Sequence, residues 1–157
     1  MADYKTTFDH VFRAPQTEVD IFNVDINSLG CWKTLISMGF EPDELLVLFR
    51  QQYCIEVWKQ LKGELIKIQF VADLLFKASV KGYLEEILIK LQNTFSLPCS
   101  GVVCHQTLYI LNDCMSSILK EWLCWSVVYL DTGNDSATAT IPIPSYLLNH
   151  STLTIRH

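Results

Sequence analysis

Charge is scarce in this chain, and positive charge is scarcer still. Charged residues make up 18% of the 157, where about 25% is usual for a soluble protein. Lys and Arg number 12 against 17 Asp and Glu, which gives a net charge of −5. The closest basic spacings, Lys59/Lys62 and Lys77/Lys81, make no cluster. A nucleic-acid surface needs several phosphate-neutralising cations on one face, so no nucleic-acid partner is expected. The same shortage argues against a polybasic membrane anchor. Long apolar runs are missing too. The longest, Trp122–Leu130, falls far short of the roughly 18 residues that a spanning helix needs, so no transmembrane segment is expected. The first ten residues, MADYKTTFDH, lack the apolar core of a signal peptide, and the expected location is cytoplasmic or nuclear. There the six cysteines (31, 54, 99, 104, 114 and 124) remain thiols and act mainly as small hydrophobes. The sequons at Asn134 and Asn149 are then accidental.

Catalytic signatures are absent as well. The chain holds no G-x-S-x-G, H-E-x-x-H, P-loop or G-x-G-x-x-G. The adjacent acids Glu85 and Glu86 fall on the polar face of a predicted helix. We expect no catalytic residue, no cofactor and no metal.

What the chain does have is helical periodicity. Residues 1–25 are mixed in polarity, with Pro15 among them, and read as an irregular arm with a short extended piece at Val19–Val24. Asp25, Asn27 and Ser28 offer caps for a helix over about 29–38, with Gly39 as its stop. Pro42, Asp43 and Glu44 suit the start of a helix to about Leu61. Its expected inner face is Leu45, Leu48, Phe49, Ile55, Trp58 and Leu61. After a kink at Gly63 the pattern resumes over about 65–78, and Gly82 breaks it again. The clearest period is Leu84, Ile87, Leu88, Leu91, Phe95, a helix over about 83–95 ended by Leu97-Pro98. Ser100 is placed to cap a long last helix to about residue 130, whose stripe runs from Cys104 through Leu111 and Ile118 to Trp125.

Residues 97–130 carry only Asp113, Lys120 and Glu121 as formal charges, so this helix must be covered by core, partner or membrane. Beyond Asp131 the composition turns to Ser, Thr and β-branched residues. SATATIPI and STLTIRH alternate as an edge strand or hairpin would. The expected fold is all-α: one domain over 1–157, with an arm at 1–25, a bundle of about five helices at 26–130 and a polar, β-like tail at 131–157.

Cys99, Cys104, His105 and Cys114 are the one cluster with ligand or thiol chemistry. Zinc needs four converging ligands, whereas Cys104 and His105 are helical neighbours that diverge by about 100°. A thiol enzyme or zinc protein built on these four is carried as an alternative.

Ile68-Gln69-Phe70-Val71-Ala72-Asp73-Leu74-Leu75 resembles the core of a BH3 helix: apolar, two spacers, apolar, small, Asp, spacer, apolar. The order of helices over 65–130, with the last opened by Ser100-Gly101, resembles a small Bcl-2-type bundle such as the divergent viral death inhibitors. That resemblance implies helix-in-groove recognition, with Ile68, Val71 and Leu75 as anchors and Asp73 as the acid that pairs with a groove arginine. Met38-Gly39-Phe40 resembles the loop between the first two helices of ubiquitin-associated domains, and 41–46 resembles an acidic dileucine sorting signal.

Trp122 and Trp125 lie three apart, on one helical face, and are expected to share one role. The reading is a non-enzymatic helical module that binds a protein partner or a second copy of itself through an apolar surface. Such a chain would suit a viral accessory or host-modulating protein. The candidate partner-binding residues are Ile68, Val71, Asp73, Leu75, Trp122 and Trp125.

Overall fold

A computed structural model describes residues 1–12, 22–114 and 117–131. Among these residues the fold is all-helical, with seven helices of eight residues or more and no strand. They are α1 (Tyr4–Phe12), α2 (Gly30–Ser37), α3 (Pro42–Tyr53) with its short continuation α4 (Lys59–Leu61), α5 (Gln69–Lys81), α6 (Leu84–Thr94), α7 (His105–Asp113) and α8 (Ser117–Asp131). The expected strand or hairpin within 136–157 lies outside the described residues. None of the described helices is long and apolar enough to cross a membrane.

The centre is α5. Every residue from Val71 to Ala78 is buried, and α1, α6 and α8 pack around it. Phe76 is its aromatic hub, with ring centroids 6.0 Å from Tyr4, 6.1 Å from Tyr53, 6.3 Å from Phe12 and 6.4 Å from Trp58. The helix ends where Gly82 turns left-handed (φ 86°), with Tyr83 N–H bonded to Ala78 O at 3.0 Å and Gly82 N–H to Ser79 O at 3.1 Å. Only glycine takes that turn without strain.

Three expectations about the helices are corrected. The first concerns the N-terminal arm, which is not irregular throughout. Asp3 caps α1 by accepting from Thr6 N–H at 2.8 Å, and Thr7, Phe8 and Val11 are buried. Its nine residues include several middling helix formers, so the helix owes its stability to packing on α5 rather than to propensity. Part of the expected extended piece at 19–24 lies outside the described residues; Val24 is buried, and its N–H meets Val11 O at 2.7 Å.

The second concerns the α3 face. Leu45, Phe49, Trp58 and Leu61 are buried, whereas Leu48 and Ile55 are exposed. A regular helix would put Trp58, nine residues after Phe49, on the opposite side. Residues Cys54–Trp58 form a π turn instead. The wider turn absorbs about one extra residue and swings Trp58 back toward the core.

The third concerns the long last helix, which is two helices; with α1, the described residues hold seven helices of eight residues or more and not about five. Gly101 is left-handed (φ 67°) and Cys104 is extended, so residues 100–104 form a loop, and Cys104 rather than Ser100 is the cap. At the other end α7 stops at Asp113, and Asn112 in its last turn is tied to the segment before α5. Its side chain donates to Leu65 O at 2.8 Å and accepts from Lys67 N–H at 2.7 Å. The segment after Gly63 departs similarly: Gly63–Leu65 is a 3-10 turn, and α5 begins at Gln69. Asp25 caps the 3-10 turn Ile26–Ser28, just ahead of α2. The start at Pro42, the stop at Gly39 and α6 lie as expected.

Candidate functional site

Cys104 stands at the head of α7, where the first backbone N–H groups lack helical partners. Its Sγ accepts from Thr107 N–H at 3.4 Å and lies 3.1 Å from Thr107 Oγ1. Burial pushes this thiol up, but the hydrogen bonds from Thr107 and from the first turn of the helix together leave it below its ordinary value. Cys114 and Cys124 move the other way, each raised first by burial and then by an adjacent acid, Asp113 or Glu121. Cys104 and Cys114 cap opposite ends of α7, roughly 15 Å apart at 1.5 Å per residue. One zinc ion needs its sulfurs about 2.3 Å away. Cys99 and His105 face solvent. Among the described residues no three His, Cys, Asp or Glu side chains converge as metal ligands. The four-residue set read from the sequence is therefore spread over a helix and the loop before it.

The distinct environments of the thiols give an expected order of reactivity, because the thiolate is the nucleophile. In an alkylation series read by mass spectrometry, Cys104 should react with an apparent pKa below that of an ordinary free thiol, and Cys114 and Cys124 with values above it. Equal pH profiles for the three would contradict the capping geometry.

The BH3-like segment lies in the core. Val71 and Leu75 are fully buried, and Ile68 is half-buried at the N-cap of α5. Asp73 is 2% exposed and engaged within the chain. Its Oδ1 accepts from Thr7 Oγ1 at 2.6 Å and from Gln69 Nε2 at 2.7 Å, and its Oδ2 lies 2.7 Å from His10 Nδ1. Gln69 also accepts from Asp3 N–H at 2.8 Å. These groups fasten α1 to α5, and in this conformation none of the three apolar anchors is offered to a groove. Thr7 and His10 each lie more than 60 residues before Asp73, so no local spacing announces the network.

The two tryptophans separate. Trp122 is buried, whereas Trp125 is 64% exposed. Once α8 stands alone, its inner face is Leu119, Trp122, Leu123, Ser126 and Val127, and Trp125 falls outside that arc.

The chain was compared with protein-family profiles, curated proteins and solved structures. It matches none of them. The arrangement of its own residues therefore carries the functional argument.

Two surface features were not anticipated. The first is a group of exposed apolar side chains on α2, the turn after it and α3. Met38 is 68% exposed, Val47 58% and Leu48 50%, with Ile36, Phe40 and Leu46 beside them at 36 to 40%. A signal was present: Leu45–Phe49 reads LLVLF, and five consecutive apolar residues circle a helix, so they cannot all face one core. The second is a cleft of about 260 Å³ between the end of α3–α4, the α5–α6 corner and the loop before α7. The loop is held by Gln92, which is fully buried. Gln92 Oε1 accepts from Gly101 N–H at 3.0 Å, and its Nε2 donates to Val102 O at 2.9 Å and Thr107 Oγ1 at 3.0 Å.

Proposed function

We propose that this protein is a non-enzymatic helical interaction module, and that its binding face is the exposed apolar surface of α2, the turn at Met38–Phe40 and α3. The observation that supports this reading is the exposure of Ile36, Met38, Phe40, Leu46, Val47 and Leu48 on two helices that pack against each other. Isolated exposed apolar side chains are ordinary, whereas a contiguous group of large ones marks a surface that another molecule covers. The partner is a protein, and helix-in-groove or helix-on-face docking suits a convex apolar corner of this kind.

Leu48→Asp tests the reading, because Leu48 makes little use of the core and its replacement should leave stability within about 0.5 kcal/mol. We expect a partner recovered with the wild-type chain to be lost with Leu48→Asp, while the thermal midpoint is unchanged. Light scattering over a dilution series identifies the case in which that partner is a second copy, since the variant then turns a dimer into a monomer. Undiminished capture and unchanged association by Leu48→Asp would refute the assignment of this face.

A further inference from the structure

We infer that the cleft at the α5–α6 corner receives the side chain of a lysine presented by a partner polypeptide. Its lining divides by chemistry. Val57, Leu61, Leu88 and Val103 supply apolar walls, while Glu85, with Gln60 and Ser79, supplies polar groups. The volume, about 260 Å³, lies below the roughly 300–1,000 Å³ of sites that hold drug-sized ligands, so one side chain is a better match than a whole helix.

Glu85 is the one ionisable residue of the lining. Gly82, which ends α5, and Leu84, which begins α6, both line the cleft, so two helix ends of opposite sign meet there. The formal charge is the carboxylate of Glu85, in the first turn of α6. Its position is fixed by the loop: a Cβ on Gly101 would lie 2.6 Å from Glu85 Cγ and 3.4 Å from Oε1, so the side chain crosses the bare face of that glycine. Gly101 in turn is tied to Gln92. Among the described residues nothing hydrogen-bonds or pairs with the Glu85 carboxylate, and Lys81 of the neighbouring turn does not line the cleft. An apolar cleft whose one formal charge is the exposed acid Glu85 complements a long aliphatic stem with a single point charge. Lysine has that form, whereas arginine presents a planar fork that asks for bidentate acceptors. Val102 at the lining is 60% exposed. A backbone carrying the lysine would cover it, and a free amine would leave it bare. No lining residue belongs to the 36–48 apolar face, so this site stands or falls independently of the proposed binding face.

The test is an NMR titration of the full chain with a capped leucine–lysine–leucine tripeptide and the same peptide carrying norleucine in place of lysine. We expect saturable shifts at the amides of Ser79, Gly101 and Val102 with the lysine peptide. The norleucine peptide should bind about fivefold more weakly, in keeping with one solvent-exposed ion pair. Glu85→Gln should weaken the lysine peptide by a similar factor and leave the norleucine peptide unchanged. Raising salt from about 0.05 to about 0.5 M should act on the lysine peptide alone. Equal affinity for the two peptides, or a lysine peptide indifferent to both salt and Glu85→Gln, would overturn the inference. Binding of n-pentylammonium as tight as that of the tripeptide would overturn its partner half and leave a site for a free amine.

Discussion

Gln92→Leu should lower the unfolding free energy by about 4 kcal/mol. The substitution keeps the approximate volume and removes only the amide. It leaves the buried Gly101 N–H and the Val102 carbonyl without the partners they have now, and the buried Thr107 hydroxyl with Cys104 Sγ alone. Each orphaned buried polar group costs about 1–3 kcal/mol. For a chain of this size the loss corresponds to a fall of about 10 °C in the thermal midpoint. Hydrogen exchange supplies a second reading: the Gly101 amide should lose protection before the amides of α5 do. A loss below about 1 kcal/mol would mean that the loop finds other partners, and that Gln92 is not what holds the 97–104 segment against α6.

Asp73→Ala is the second large effect, at about 3 kcal/mol. The carboxylate is almost wholly buried and accepts from Thr7 and Gln69 while pairing with His10. Hydrogen bonds to a charged group contribute about 1.5–3 kcal/mol each, offset in part by the cost of burying the charge. Asp73→Asn should be milder, because an amide oxygen still accepts from Thr7. Combined with Thr7→Val, the loss should be less than additive, since both changes break the same bond. Chemical denaturation of the four chains checks this. The BH3-like reading of residues 68–75 makes the opposite forecast, in which Asp73 is a surface acid whose removal leaves stability untouched.

These two side chains show why part of the fold could be read in advance and part could not. Helix α6 was visible because its buried residues, Ile87, Leu88 and Leu91, repeat at helical spacing, with Glu85 and Glu86 ahead of them and Lys90 among them. The stops at Gly39 and Gly82 and the start at Pro42 were visible because each depends on the backbone chemistry of one residue. Helix α1 was not, since its formers are weak and its packing partner lies some 60 residues downstream. The candidate site was less legible still. The sequence singled out Val71, Asp73 and Leu75 for their pattern, but a pattern of apolar anchors and one acid describes a buried helix with an internal hydrogen-bond network equally well. Trp122 and Trp125 were joined by spacing and parted by the boundary of α8.

The sequence by itself determined the helical class, the low positive charge, the stops at Gly39 and Gly82 and the start at Pro42, because these follow from composition and from neighbours within a turn. Only the tertiary structure decided which apolar residues are buried. The chain has more of them than one core can cover, and a π turn at Cys54–Trp58 and a loop at 97–104 set which faces turn inward. The same packing left Met38, Val47 and Leu48 outside, and it brought Gly101 against Glu85. Burial is a competition among all side chains for a limited interior, and its outcome is fixed by the assembled fold rather than by any one segment.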